Sequence, residues 1–315
     1  MEFVTKDKTF DLEIGLRDKL KPDWREIFKP ARNYPIIPNL YIALPFVTKA
    51  EQELENHGIS LVGKDILEVG CCYGERSFLM AKYEGTKVHG IDVDDYLVNQ
   101  SVDLNVWNPK DIEYIHNKVD GIHLELSKSI PMSIVNKVTF ETSSIVDYVT
   151  NNPHDIIISW DTLEHIIDLP LAFNQMANAL KKGGIAYHEY NSFFSLTGGH
   201  SLCTLDFLYG HCRLSKEDFE RYIRELRPTE EKTALNFYYK CLNRVTKKDI
   251  LELSEKNGFE ILEFKYENPY SNEYELREVI KVLERDILPD VVKIYPNCGM
   301  EDLLHASVHI ILRKK

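Results

Sequence analysis

The chain has 315 residues, 38 basic against 50 acidic side chains and a formal net charge of −12, with 43% hydrophobic and 28% charged residues. That is globular composition, long enough for one large or two ordinary domains, and its acidity argues against a non-specific nucleic-acid binder, whose affinity comes from Lys and Arg neutralising phosphates. No apolar run approaches the roughly 20 residues that span a bilayer, no leader-type stretch stands within Met1–Phe10, and the cysteines form no C-x-x-C pair. Reduced thiols and a cytoplasmic protein without a membrane span are therefore expected.

Pro22, Pro30, Pro35, Pro38 and Pro45 predict no long helix before Thr48, and a polar helix from there to about His57. Residues 1–60 read as an N-terminal extension. From Asp65 the texture changes: Asp65–Gly70 is a strand ending in glycine, Glu75–Tyr83 is helix-like, and Lys87–Asp92 is a second strand. That is the size of a βαβ unit. Lys137–Glu141 and Asp155–Ser159 are further strands, Leu171–Lys182 carries apolar residues at helical spacing up to Gly183-Gly184, and Ile185–Asn191 is a fifth strand. Such βα alternation implies a parallel sheet with helices on both faces.

The alternation breaks in two places. The stretch from Asp92 to Val138 exceeds one helix and its turns, so an insertion is expected near 105–136. Residues 192–245 are aromatic and helix-like, with Ser215–Asp218 as a capping box, and read as a second insertion, a lid. The core of 61–191 is completed by 246–315: Thr246–Asp249 caps a helix closed by Gly258, Phe259–Tyr266 is a strand, a helical insertion lies near 269–303, and Ala306–Leu312 is the last strand.

The segment Glu68-Val-Gly70-Cys-Cys72-Tyr-Gly74 carries the chemistry. A glycine turn after a first strand lets a ligand approach the backbone. A dinucleotide fingerprint from Gly70 would need glycines where Cys72 and Glu75 stand, and no G-K-[ST] of Walker type follows. The spacing instead resembles the first motif of class I S-adenosylmethionine-dependent methyltransferases, with Cys72 where the family usually has its middle glycine. Asp92, in Gly90-Ile-Asp92-Val93, then stands where an acid accepts the ribose hydroxyls. Ser144-Ile145 occupy the place of the family's adenine contact. His154–Ser159-Trp160-Asp161-Thr-Leu163-Glu164-His165-Ile166 looks like the fourth strand and the following "LEH" turn, and Leu180–Gly184 like the turn before the fifth strand. More narrowly, Asn191–Phe207 and Leu242–Thr246 look similar to bacterial methyltransferases of polysaccharide and small-molecule gene clusters.

The resemblance implies an α/β fold: a doubly wound, seven-stranded, mostly parallel Rossmann-like sheet with an antiparallel last strand and helical insertions. It implies S-adenosyl-L-methionine as cofactor, held by Glu68, Gly70, Cys72, Gly74, Asp92, Val93, Ser144, Ile145, Ser159 and Trp160, and methyl transfer to an oxygen of a small molecule or sugar. N- or C-methylation and a non-catalytic cofactor-binding module are the alternatives. An alcohol is a poor nucleophile near neutral pH, so a base is sought among histidines. His165, His188 and His200, with Asp161, are the candidates, and His165 ranks first because it follows Asp161 and Glu164 at a strand's carboxyl end. No metal is expected, since His200, Asp206 and His211 match no ligand spacing. Arg213, Lys216, Arg221, Arg224 and Arg227 are interleaved with acids and read as a solvated face.

Overall fold

The computed structural model describes residues 1–25, 39–93, 109–267 and 269–315. Two short strands, β1 (Glu2–Val4) and β2 (Thr9–Asp11), pair as an antiparallel hairpin. The main sheet holds β3 (Asp65–Val69), β4 (Lys87–Asp92), β5 (Val138–Thr142), β6 (His154–Trp160), β7 (Leu180–Asn191), β8 (Phe259–Tyr266) and β9 (Ser307–Lys314), in the order β5-β4-β3-β6-β7-β9-β8. The first five of these run parallel, and β9 is antiparallel to both β7 and β8. This is the doubly wound seven-stranded sheet the sequence predicts. Its order reverses between β3 and β6, and ligands of such sheets bind at the carboxyl ends of the strands flanking that reversal.

The central strands read as unbroken apolar runs because both faces are covered. On one face Leu67, Ile91 and Ile157 pack with Phe173 of the helix Leu169–Ala179 and Ile250 of the helix Lys247–Lys256. On the other, Ile66, Val88 and Ile156 pack with Val47, Ala50 and Leu54 of the helix Leu40–Glu55.

That last helix departs from expectation: it starts at Leu40 and contains Pro45. Asn39 caps it, its side chain accepting the N–H groups of Tyr41 and Ile42. Ala43, Val47, Ala50 and Leu54 recur at helical spacing and are all buried, which offsets the single backbone bond that Pro45 cannot make. The helix expected to run to Lys182 ends at Ala179 instead, because Leu180 is already extended and pairs with His154 as the start of β7. Of the stretch expected as the first insertion, 105–108 lie outside the described residues, and the rest forms the helices Pro109–Lys128 and Met132–Val135 before β5.

A second core stands apart from the sheet. Phe3 and Phe10 of the hairpin, Phe193, Phe219, Tyr222 and Phe237 of the 192–245 stretch, and Leu283, Ile287 and Val291 of the C-terminal helices form one buried cluster. Phe3 meets Tyr222 edge-on at 5.1 Å, and Arg17 forms an ion pair with Glu230 at 2.8 Å. Three segments that are separate in the sequence thus share one apolar interior.

Candidate active site

The turn after β3 owes its shape to backbone conformations that favour glycine. Gly70 has φ +77°, and a Cβ there would stand 2.1 Å from Thr162 Oγ1. Gly74, at φ +79°, precedes the helix Glu75–Met80, and a Cβ on it would lie 2.5 Å from Phe140 Cζ. Cys72 also takes a positive φ, 44°, uncommon for a residue with a side chain, at the position where the resembling motif carries glycine. Asp92 pins this turn from the end of β4: one carboxylate oxygen accepts the N–H of Cys72 at 2.6 Å and the other that of Val93 at 2.7 Å.

A cavity of about 570 Å³ opens beside the turn, within the range of small-molecule sites. Gly70, Cys72, Asp92 and Val93 form one wall, and Ser144 and Ile145 another. Trp160 at the end of β6 and Asp161 and His165 just beyond it line it further, and Lys240 and Cys241 reach it from the aromatic stretch. Seven of the ten cofactor residues read from sequence, Glu68, Gly74 and Ser159 being the exceptions, are therefore brought together with two of the four catalytic candidates.

Others lie elsewhere. Glu68 is 1% exposed and faces the interior beneath the turn, where the Ser77 hydroxyl donates to its Oε2. Its Oε1 has no partner among the described residues, and burial pushes the carboxyl up to about 8. Gly74 is not on the cavity wall, and the space a Cβ there would need is taken by Phe140 and His123. Ser159 and His188 are register partners on β6 and β7, both buried, with Ser159 Oγ 2.8 Å from His188 Nδ1. Burial pushes His188 down to about 3, and its place inside the sheet removes it from the cavity wall. Strand alternation permitted either face for His188, and the packing of both faces decided it.

His165 sits in the turn Leu163–His165. Its Nδ1 lies 2.6 Å from the Cys241 carbonyl oxygen. A carbonyl only accepts, so Nδ1 carries the proton and Nε2 the lone pair of the neutral ring. Burial lowers this histidine to about 4. His200, outside the cavity wall, packs its ring 5.0 Å from that of His165, and Phe237 backs both at 6.1 and 5.8 Å. Asp161 is half-exposed at φ +51°, accepts from Asn191 Nδ2 at 2.9 Å, and lies 3.6 Å from Arg76.

Glu164 is 1% exposed. Its Oε1 accepts the backbone N–H of Asn191 at 3.1 Å and the Asn191 side chain at 3.2 Å, while Oε2 has no partner among the described residues. Burial raises it to about 8. Asn243 clamps the turn, donating to the carbonyls of Leu163 at 2.6 Å and Ile166 at 3.0 Å. Sequence reasoning singled out neither Arg76 nor Thr162 as a site residue, because their roles are contacts made across the fold.

The cluster weighed from sequence does not assemble. His211 Nε2 is 2.7 Å from the Phe193 carbonyl, and Asp206 accepts from the backbone of Gly15 at 3.1 Å. Four of the five basic residues of 213–227 are in ion pairs: Arg213 with Asp290, Arg221 with Asp218, Arg224 with Glu220, Arg227 with Glu230.

Residues 47–263 match the sequence profile of a family described as "Methyltransferase domain". No curated protein matches the chain. Among solved structures, an S-adenosylmethionine-dependent methyltransferase from Mesorhizobium loti aligns at 11% identity, with a TM-score of 0.48, over 84% of this chain and 96% of its own. A geranyl diphosphate C-methyltransferase from Streptomyces coelicolor A3(2) aligns at 12% identity, with a TM-score of 0.48, over 85% of this chain and 77% of its own.

Proposed function

The chain belongs to the methyltransferase-domain family and is an S-adenosylmethionine-dependent methyltransferase, and from that premise we propose that it methylates an oxygen of a small molecule or sugar, of the kind built into bacterial surface polysaccharides. One observation carries this reading: a single cavity is walled on one side by the Asp92-pinned glycine turn and on the other by Asp161 and His165. The polysaccharide class is supported by the likeness of Asn191–Phe207 and Leu242–Thr246 to enzymes of such gene clusters.

The residues present fit the cofactor. The cavity has the volume for it, its wall carries a carboxylate at the end of β4, and the buried Trp160 Nε1 is a donor without a partner among the described residues. Asp92 would hold the ribose hydroxyls, since a carboxylate oxygen can accept more than one hydrogen bond. Gly70 would let the methionine part pass close to the backbone, and Val93, Ser144 and Ile145 would flank the adenine. When bound, the cofactor supplies an electrophilic methyl group, whose transfer to a hydroxyl yields a methyl ether, S-adenosylhomocysteine and one proton. The tasks left to the chain are alignment, exclusion of water and disposal of that proton.

His165 serves the acceptor oxygen. It is the one of the three candidate histidines on the cavity wall, and the Cys241 carbonyl holds its ring in one orientation. Asp161, tied to Arg76 and Asn191, shapes the same side. Replacement His165→Ala is expected to lower turnover roughly 10²- to 10⁴-fold with S-adenosylhomocysteine affinity retained. The assay follows labelled methyl from S-adenosylmethionine into sugars and the small-molecule fraction of a cell extract, with the methylated atom identified by NMR. Product carrying the label on nitrogen or carbon would overturn the oxygen reading, and turnover within a few-fold of wild type would remove His165 from it.

A further inference from the structure

The geometry points to a divalent-cation site formed by Glu164, His165 and His200 at the edge of the cavity. One carboxylate oxygen and one nitrogen from each imidazole lie within 4.8 Å of one another. Each donor is positioned by something other than a metal. Asn191 engages one oxygen of Glu164 through its backbone and side-chain N–H groups, which leaves Oε2, buried and without a hydrogen-bond partner among the described residues, as the ligand atom. The Cys241 carbonyl takes the Nδ1 proton of His165, so that Nε2 is the ligating nitrogen, the arrangement in which metal-bound histidines donate their other N–H to an oxygen. Phe237 packs against the rings of both His165 and His200.

A buried carboxylate oxygen with no donor is costly unless something positive meets it. A cation shared with two imidazoles satisfies that oxygen. Two imidazoles and one carboxylate form a donor set suited to Zn²⁺, Mn²⁺, Fe²⁺ or Co²⁺ rather than Mg²⁺, with coordination positions left for an incoming oxygen. His165 also lines the cavity, which places the site at the edge of it. That the incoming oxygen belongs to the methyl acceptor rests on the proposed function. A hydroxyl bound to such a cation loses its proton to solvent more readily than a free one, and the resulting metal-bound alkoxide is the nucleophile. His165 then acts as a ligand, and the favoured acceptors carry a hydroxyl beside a second oxygen able to chelate.

The test is a Co²⁺ titration of chelator-stripped full-length protein, followed by visible absorption, with competition by Zn²⁺. Calorimetric titration with S-adenosylhomocysteine runs in parallel. Wild-type protein should bind one equivalent with the absorption of a nitrogen-ligated ion and release it to Zn²⁺. Glu164→Gln retains an oxygen for Asn191, and His200→Asn suits a backbone at φ +50°. Each should weaken Co²⁺ binding at least tenfold while leaving S-adenosylhomocysteine affinity within a few-fold. Absence of the ligated spectrum, or affinity unchanged in both variants, would overturn the site. Loss of S-adenosylhomocysteine binding by wild-type protein would instead refute the cofactor assignment and leave the metal result standing.

Discussion

The carboxylate of Asp92, at the end of β4, accepts the backbone N–H of Cys72 across 2.6 Å, so the acid that ends one strand holds the turn that follows its neighbour. Cys72 makes this contact from a positive φ, between Gly70 and Gly74, which also have positive φ. One side chain thus shapes this turn and, in the proposed function, would also face the cofactor.

Replacement of Asp92 should therefore be felt twice. Asp92→Ala removes charge-assisted hydrogen bonds worth about 1.5–3 kcal/mol each and releases the turn, so calorimetric affinity for S-adenosylhomocysteine should fall at least tenfold. Unchanged affinity in a folded variant would put the ribose elsewhere.

Gly70→Ala should destabilise the protein by more than the roughly 1–2 kcal/mol of a left-handed backbone alone, because the new methyl would stand 2.1 Å from Thr162 Oγ1. Adding Thr162→Ala removes the two nearest atoms, leaving Thr162 Cβ at 3.0 Å, and should relieve most of the clash while leaving the conformational cost. Denaturant unfolding of the single and double variants separates the two, and equal stabilities would mean that the turn relaxes around the methyl.

Glu68 supplies a pH signature. Its folded-state value is about 8 against an ordinary 4.5, so the folded protein keeps a proton that the unfolded chain has released. Stability associated with this group is complete below about 4.5 and is lost as pH rises towards 8. Glu68→Gln carries no such proton. Relative to wild type, its unfolding free energy should rise across that window and level off outside it; a difference that stays flat between pH 5 and 8 would show that Glu68 is ionised in the fold.

Arg224 tests the reading of the charged helix face. It pairs with Glu220 at 2.9 Å and Glu231 at 2.8 Å, away from the cavity wall. Arg224→Ala should leave turnover and KM within twofold, and a tenfold rise in KM would make this face part of the acceptor site.

Along the chain, the legible features were those that depend on neighbours a few residues away. The βα alternation, the glycine spacing from Glu68 to Gly74, Asp92 at the end of its strand, and the Thr246–Asp249 capping box all stand in the fold where local chemistry puts them. The helix through Pro45 was illegible because its stability comes from burial against the sheet, which outweighs the local rule that proline breaks helices.

Direction and company were decided by the tertiary structure. A strand buried on both faces gives no periodic sign of which side is inner, so nothing local could tell that Glu68, Ser159 and His188 face the interior while Trp160 borders the cavity. Nor does any spacing rule join Glu164 and His165 to His200, which meets them from a different segment, or join the hairpin of Phe3 and Phe10 to Tyr222 and Ile287. Such contacts form when elements with no regular sequence separation bury apolar surface together, and only the assembled fold specifies which side chains that burial brings within reach.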